Sequence, residues 1–225
     1  MRTVHNELVR PSAELVEAFR EIARAEYSPS CLVADSRSKV GVIGGLKPVK
    51  REHKIAGPAL TVHLAADELV DCLPVLATAK PGDIIVVACH RSPRMAMWGG
   101  LMSTLSQLAG IGGAIIDGLV RDVDEIRDLD FPVWYAGTLP RRCPGITHDG
   151  TEPLQTNVPV MVEGQLIEPG DIIVADENGL GVVSPTVAEA VLADTRELLD
   201  KERVIRDKLN AGVTLHQLLA EFGVI

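Results

Sequence analysis

Aromatic residues are scarce in this chain: its 225 residues include two tryptophans, two tyrosines and three phenylalanines. This scarcity argues against a binding module that relies on stacked aromatic rings. Apolar residues nevertheless make up 46% of the chain, so valine, isoleucine, leucine and alanine must build the core, a composition typical of α/β proteins. The length is that of a single domain, and we expect residues 1–225 to form one α/β domain.

Cysteines and long apolar runs are also limited. The four cysteines form no Cys-x-x-Cys pair and have no zinc-site spacing, which indicates a reduced compartment without structural zinc. The first residues lack the apolar stretch of a signal peptide. No uninterrupted apolar run approaches the roughly 18 residues that a membrane span needs. We therefore expect a soluble, cytoplasmic protein with no membrane partner.

Basic residues are outnumbered, with 22 Lys and Arg against 31 Asp and Glu and a formal net charge of −9. Nucleic-acid affinity depends on clustered basic side chains that release counterions. A modest basic cluster at 47–54 is interpreted as a solvated loop. We therefore expect no nucleic-acid partner.

Helices are predicted near both ends of the chain. Ser12 can cap a helix over about 12–25, whose apolar residues recur at spacings of three and four. Ser184 as a cap and Pro185 at the first position predict a long helix over about 185–210. On a wheel of about 100° per residue, Glu202 falls within its apolar stripe. The carboxylate either reaches solvent at the margin or enters a cleft, which a neighbouring subunit could provide. The stripe comprises Val187, Val191, Leu198, Ile205 and Leu209.

Short strands and helices alternate between these ends. Pro-Gly-Asp-Ile-Ile-Val occurs at 81–86 and again at 169–174, and each copy predicts a turn that enters a buried strand. Their surroundings differ, so a shared structural need explains them better than a true repeat. Parallel pairing over about 83–136, in a sheet or small barrel, is expected. The remaining predictions are strands at 59–64, 114–117 and 132–136, helices at 67–79, 101–108 and 123–129, irregular segments at 28–54 and 140–156, and short strands over 158–184 with turns at Glu163-Gly164 and Asn178-Gly179.

Arg121 and Asp122 leave the C-terminal end of the predicted parallel strand at 114–117, where open α/β sheets bind ligands. Gly99 and Gly100 precede a predicted helix, so a ligand can approach the backbone, and the free N–H groups of the helix favour an anion. Arg121 can grip a carboxylate with two hydrogen bonds. Asp122 is a hard oxygen ligand suited to Mg²⁺. A small 2-oxo acid has a carboxylate for Arg121 and oxygens for a metal held by Asp122.

Asp122 also has a purely structural interpretation. With Glu125 three positions later it has the spacing of a capping box, which would leave Arg121 an ordinary surface arginine.

The loop after strand 83–89 offers three more candidates. His90 could act as a base, and Arg91 and Arg94 could bind a distal carboxylate, or all three could belong to an exposed polar loop. The dipeptide at 148–149, His-Asp, is a weaker candidate, because no nucleophilic serine or cysteine motif accompanies it.

Gly100 with Arg121-Asp122, together with several motifs along the chain, resembles the RraA-like family. That family includes the regulator of ribonuclease activity A and the 4-hydroxy-4-methyl-2-oxoglutarate/4-carboxy-4-hydroxy-2-oxoadipate aldolases. The resemblance implies a swivelling β/β/α fold like the phosphohistidine domain, with a central sheet and a long C-terminal helix. It also implies a homotrimer or a dimer of trimers with clefts between subunits. The matching residues are Gly100 with Arg121-Asp122, Gly-Pro-Ala-Leu-Thr-Val at 57–62, Pro-Gly-Asp at 81–83, Ile-Ile-Asp-Gly at 115–118 and Phe-Pro-Val at 131–133.

The resemblance implies roles for individual residues. The aspartate matching Asp122 binds a divalent metal, Mg²⁺ or Mn²⁺, and the arginine matching Arg121 binds the pyruvyl group. Backbone amides matching Leu101 and Met102 assist. A glutamate from the adjacent subunit's C-terminal helix approaches the metal's waters, and Glu202 is the best match here. Arg121, Asp122 and Glu202 are therefore the expected catalytic residues.

The chain departs from the aldolases at one position. They carry an acidic residue twenty-one positions before the arginine, where this chain has Gly100. Aldol cleavage needs a base for the substrate hydroxyl, whereas decarboxylation of a 2-oxo diacid such as oxaloacetate does not. We therefore expect a metal-dependent lyase acting by either route.

The sequence also bears on two other functions. A non-catalytic regulator that binds a protein, like the ribonuclease E inhibitor of the family, is compatible with the acidic charge. A methyltransferase acting on menaquinone precursors is disfavoured, because no Gly-x-Gly-x-Gly-type loop suits a nucleotide-like cofactor.

Overall fold

The computed structural model describes residues 4–37, 40–64, 72–90, 94–143 and 154–223. The chain adopts a mixed α/β fold, as its composition predicted. Its helices are α1 (Ala13–Ala25), α2 (Pro29–Ser36), α3 (Gly100–Leu108), α4 (Val123–Leu129), α5 (Ala188–Asn210) and α6 (Leu215–Phe222), with a 3₁₀ helix at Leu73–Ala77. Its strands are β1 (Val4–His5), β2 (Val42–Ile43), β3 (Lys47–Pro48), β4 (Ile55–Leu64), β5 (Ile84–Ala88), β6 (Ala96–Trp98), β7 (Gly113–Val120), β8 (Val133–Thr138), β9 (Leu154–Thr156), β10 (Val160–Val162), β11 (Gln165–Ile167), β12 (Ile172–Asp176) and β13 (Gly179–Val183).

One large mixed sheet runs in the order β2-β13-β12-β4-β5-β7-β8-β3. Its centre, β4-β5-β7-β8, is parallel, as predicted for β5, β7 and β8. Strand β12 joins β4 antiparallel. Every residue of β5 is buried. Ile85 and Val87 face one core cluster, and Ile84 and Val86 face another. A parallel strand covered on both faces needs such a continuous β-branched run, because neither side of it meets water.

The two Pro-Gly-Asp turns have the same local structure. In each, the aspartate accepts a hydrogen bond from the backbone nitrogen three residues earlier, at 2.8 Å for Asp83 and 2.9 Å for Asp171. The middle residues, Gly82 and Gly170, have φ of 84° and 89°, values that glycine adopts without steric cost. The predicted shared structural need is confirmed.

The N-terminal helix prediction is confirmed, and the C-terminal one needs correction. The Ser12 hydroxyl accepts from the Leu15 nitrogen at 3.2 Å and begins α1. Helix α5 begins only at Ala188, because the Ser184 hydroxyl contacts the Thr186 hydroxyl instead of capping the helix. The predicted stripe is wrong at Val187 and Leu209, which are exposed. The residues that α5 buries are Ala188, Val191, Leu192, Thr195, Leu199 and Ile205.

Other boundaries differ from prediction. Segment 28–54 contains α2, because Pro29 starts a helix, where its missing N–H costs nothing. Strand β4 starts at Ile55, four residues early. Within the predicted helix 67–79, the described part forms the 3₁₀ helix, and 65–71 lies outside the described residues.

The two predicted turns of the C-terminal half differ in outcome. The turn at Glu163-Gly164 is confirmed. The turn predicted at Asn178-Gly179 lies one residue earlier, because Gly179 already pairs with Asp176.

The four cysteines are all free, as their spacing predicted. Among the described helices, none has both the length and the apolar character needed to cross a membrane.

Candidate active site

The candidate site forms where β7 ends. The Arg121 nitrogen still donates to the Trp98 carbonyl at 2.9 Å, which extends the pairing with β6. The next residue, Asp122, has φ 55° and ψ 41°, in the left-handed region. Helix α4 then starts at once, and the Ile126 nitrogen donates to the Asp122 carbonyl at 3.0 Å. A single residue therefore turns the chain from strand to helix, in a conformation that aspartate tolerates better than most residues.

The capping-box interpretation of Asp122 is wrong. An N-cap residue normally has extended backbone angles, which let its side chain reach the N–H groups of the first turn. The left-handed backbone of Asp122 prevents this, and its side chain makes no capping bond. Its Oδ2 atom instead accepts from the Gly100 nitrogen at 3.3 Å and lies 3.4 Å from Arg121 Nε. The carboxylate thus faces the N-terminus of α3.

Glu125 lies on the other side of the same glycine pair. A Cβ atom added at Gly99 would lie 2.8 Å from Asp122 Oδ2, and one added at Gly100 would overlap the Glu125 carboxylate. A side chain at either position would therefore have to displace one of these carboxylates, each at the end of a flexible side chain. Sequence reasoning missed this role of Glu125 by assigning it to the capping box. The three-residue spacing between Asp122 and Glu125 was the sequence signal that could have linked Glu125 to the site.

The Asp122 carboxylate is the kind of hard oxygen ligand that Mg²⁺ or Mn²⁺ takes, and the exposed Glu125 carboxylate lies against Gly100 nearby. Mg²⁺ commonly takes one or two protein carboxylates and completes its octahedron with waters and substrate oxygens. Within the described ranges, no group of three or more His, Cys, Asp or Glu residues could hold a metal, which fits a catalytic zinc site poorly. Glu125 also makes no hydrogen bond or ion pair to any described residue, so its carboxylate is available to a cation.

A cleft of about 150 Å³ opens beside this cluster. A cavity of about this volume can hold a molecule of benzene size. One wall is apolar and contains Leu101 and Met102, two of the predicted substrate-binding residues. Arg121, Asp122 and Gly99 also line the cleft, and Gly100 starts the helix beside it. The structure therefore brings these six predicted residues together.

Glu202 is not part of this group in the chain. Helix α5 packs on α1 and α2 in a separate core cluster. The Glu202 side chain is about one-third exposed and accepts from Arg206 Nη2 at 2.5 Å. Its expected role at the cleft would require another copy of the chain, and stays a prediction.

The loop candidates have separate outcomes. His90 Nε2 lies 3.2 Å from His63 Nε2, with the rings edge to face, and His90 does not line the cleft. Burial, and secondarily the neighbouring His90, lowers the pKa of His63. Arg94 is exposed and does not line the cleft either. Arg91 and the 148–149 dipeptide lie outside the described residues.

The chain is thus a mixed α/β protein with an Arg-Asp pair at the carboxyl end of parallel strands, facing a glycine-opened helix N-terminus. Residues 13–183 match the RraA-like family, described as Aldolase/RraA. The chain belongs to this family.

Relatives and solved structures agree with this assignment. The chain is 31% identical over 205 residues to "Putative 4-hydroxy-4-methyl-2-oxoglutarate aldolase" of Halalkalibacterium halodurans, covering 88% of this chain and 91% of that protein. It is 32% identical over 182 residues to uncharacterized protein MJ0644 of Methanocaldococcus jannaschii, covering 79% of this chain and 84% of that protein.

Among solved structures, RraAS2 of Streptomyces coelicolor superposes with a TM-score of 0.75 at 26% identity, and the match covers 88% of this chain and 98% of that one. RraAS2 is described as an unusual member of the RNase ES inhibitor RraA protein family. An uncharacterized protein of Pseudomonas syringae pv. tomato superposes with a TM-score of 0.79 at 23% identity and shares the fold. The match covers 96% of this chain and 98% of that one.

Proposed function

We propose that this protein is a divalent-metal-dependent lyase that cleaves a carbon–carbon bond in a small 2-oxo acid through a pyruvate-type enolate. The observation that carries the proposal is that Arg121 and Asp122 meet at the N-terminus of α3 and both line a cleft of about 150 Å³, with Glu125 against Gly100 at the same helix end. The aldolase names of relatives at about 31% identity support the same chemistry.

The chain's own residues would bind and orient the substrate. Arg121 offers a planar fork of N–H groups to the carboxylate beside the 2-oxo group. The backbone N–H groups at Leu101 and Met102, in the first turn of α3, add donors and the positive end of the helix dipole. Mg²⁺ or Mn²⁺ held by Asp122 and Glu125 would supply positive charge where the 2-oxo oxygen becomes negative.

Both candidate reactions leave the same enolate. In decarboxylation the C3–C4 bond breaks, CO₂ departs, and the electron pair moves into the 2-oxo group. In aldol cleavage the C3–C4 bond also breaks, but the C4 hydroxyl must lose its proton and becomes a carbonyl. In both, C3 then takes a proton and pyruvate leaves.

Glu125 bears on the choice between them. Its carboxylate occupies the space that a side chain at Gly100 would fill, and that is where the resembling aldolases carry an acid. The chain has glycine at that position, and Glu125 offers a carboxylate next to it. Glu125 can hold the metal or orient the water that takes the hydroxyl proton, so aldol cleavage stands beside decarboxylation.

The protein-binding regulator remains the alternative. Its support is the likeness to RraAS2 of Streptomyces coelicolor, a member of an RNase ES inhibitor family. A regulator of this kind has no need for two carboxylates and an arginine around one helix N-terminus. Metal affinity at Asp122 therefore discriminates between the two functions.

The test is pyruvate release from oxaloacetate and from 4-hydroxy-4-methyl-2-oxoglutarate with Mg²⁺ or Mn²⁺, followed with lactate dehydrogenase. Free metal ions also decarboxylate oxaloacetate, so the rate with heat-denatured protein is subtracted. We expect chelation and Asp122→Ala each to remove the protein-dependent rate. Asp128→Asn, the same charge change on exposed α4 surface, is the control. Rates unaffected by chelation and by Asp122→Ala would overturn the proposal.

A further inference from the structure

Strand β6 has a neighbour on each edge. On one edge Ala96 pairs with Leu119 of β7, two residues before Arg121. On the other edge Ala96 forms a parallel bridge with Arg142. Two hydrogen bonds fix this bridge, from the Ala96 nitrogen to the Arg141 carbonyl at 2.7 Å and from the Cys143 nitrogen to the Ala96 carbonyl at 3.2 Å. The backbone of Arg142 is therefore held at a defined place beside β6.

This placement directs Arg142 towards the cleft. Paired residues of neighbouring strands project from the same face of a sheet, and both Ala96 and Arg142 line the cleft. The small side chain of Ala96 leaves room for the arginine to reach across. Adjacent strands are about 4.8 Å apart, so the backbones on the two edges of β6 are separated by about 10 Å. Arg121 and Arg142 thus approach the cleft from opposite sides.

The charges around the cleft favour a dianion. Two guanidinium groups, of Arg121 and Arg142, and one carboxylate, of Asp122, line it. Asp122 lies against Arg121 at 3.4 Å, whereas Arg142 makes no ion pair with any described residue. A cation bound at Asp122 would add further positive charge. A second carboxylate on the ligand would give Arg142 the planar anionic partner that its fork of donors matches.

We propose that Arg142 binds the second carboxylate of a 2-oxo dicarboxylic acid and makes the cleft selective for diacids. The proposal rests on the proposed function for the identity of the first carboxylate, which Arg121 binds. It assigns the distal carboxylate to Arg142, which lines the cleft, whereas the loop candidate Arg94 does not.

The same contact favours one reaction over the other. A carboxylate that departs as CO₂ loses its charge, so Arg142 stabilises the ground state more than the transition state and slows decarboxylation. In aldol cleavage of a diacid whose second carboxylate lies on C4, that carboxylate keeps its charge and leaves on the carbonyl product. Arg142 then binds ground state and transition state alike and lowers KM. The cleft therefore suits an aldol substrate better than oxaloacetate.

The first test compares binding of 2-oxoglutarate and 2-oxopentanoate, which differ by one carboxylate, to the Mg²⁺-loaded protein by calorimetry. We expect the native protein to prefer the diacid by about 10- to 100-fold, the range of a charge-assisted hydrogen bond. Arg142→Gln should abolish the preference and leave 2-oxopentanoate binding unchanged, and Arg142→Lys should restore part of it. Arg141→Gln, the adjacent exposed arginine, is the matched control. Equal binding of the two acids by the native protein would overturn the proposal.

The second test is kinetic and separates this proposal from the proposed function. Arg142→Gln should raise KM for 4-hydroxy-4-methyl-2-oxoglutarate with little change in kcat, and should raise kcat for oxaloacetate. Equal losses of kcat on both substrates would contradict a specificity role. If the native protein releases no pyruvate at all, the proposed function fails, and the binding comparison still decides the role of Arg142.

Discussion

The Oδ2 atom of Asp122 accepts a hydrogen bond from the Gly100 nitrogen at 3.3 Å. This bond joins the second residue after the parallel strand β7 to the first residue of a helix twenty-two positions earlier. It holds the carboxylate at the positive end of α3 and beside Arg121. Because the side chain faces this N-terminus and not α4, Asp122 is available to a ligand.

Gly100→Ala should impair activity without destabilising the fold. The new Cβ would overlap the Glu125 carboxylate and displace it, whereas alanine is about 0.5–1 kcal/mol more favourable than glycine within a helix. We expect metal-dependent pyruvate release to fall at least about 10-fold, with an unchanged or higher melting temperature. Gly44→Ala is the control, since no atom lies within 4 Å of its added Cβ. Undiminished activity of Gly100→Ala would show that Glu125 does not serve the site.

Arg121→Lys should keep the charge and lose the fork of donors. Lysine presents a point charge and cannot form the two parallel bonds that a guanidinium makes with a carboxylate. We expect KM for the 2-oxo acid to rise by about 10-fold. Arg51→Lys, at an exposed pair with Glu177, provides the comparison. An unchanged KM would indicate that Arg121 does not bind the substrate.

The buried ion pair of Arg10 with Asp83 should stabilise the fold much more than the exposed pair of Arg24 with Glu17. The Asp83 carboxylate is 1% exposed and accepts from Arg10 Nη2 at 2.6 Å and from Nε at 2.8 Å. Their hydrogen bond raises the pKa of Arg10. Arg10→Met should therefore cost about 3–5 kcal/mol in urea unfolding, because a buried carboxylate loses its partner. Arg24→Met, which breaks an exposed pair with Glu17, should cost no more than about 1 kcal/mol. Similar losses in the two variants would contradict this account.

The lowered pKa of His63 should make the stability of the fold depend on pH. Burial and His90 lower its pKa in the folded state, so the unfolded chain, with an ordinary histidine pKa of about 6.5, binds the proton first. Stability should therefore fall as the pH drops below about 6.5 towards the lowered folded pKa. His63→Gln should flatten this dependence in denaturant titrations between pH 7 and pH 5. His216→Gln, at an exposed position of α6, should leave it unchanged, and equal slopes in all three proteins would refute the prediction.

Much of the central fold could be predicted from local sequence. The β-branched run at 84–88 predicted a buried parallel strand, since its pattern depends only on burial of both faces. The hydroxyl of Ser12 and the repeated Pro-Gly-Asp turns act through bonds within four residues, so their sequence is sufficient to identify them.

The site required tertiary information. Asp122 was predicted as a candidate metal ligand, with a capping box as the alternative, whereas Glu125 was recognised only as part of that capping box. The left-handed backbone of Asp122, which excludes the capping box, depends on pairing with β6 and on the close approach of Gly99 and Gly100. Strand β6 has three residues and its pairing partners are distant in sequence. Arg142 was missed for the same reason, since only the bridge to Ala96 brings it to the cleft.

The central claim is that Asp122 and Glu125 together hold a divalent metal beside Arg121. Equilibrium binding of Mn²⁺, measured by the loss of its free-ion paramagnetic resonance signal, tests this most directly in the native protein, Asp122→Asn, Glu125→Gln and the control Asp128→Asn. We predict one site per chain in the native protein and in Asp128→Asn, and affinity at least about 10-fold weaker in each of the other two variants. Absence of the site in the native protein, or equal affinity in all four proteins, would contradict the account.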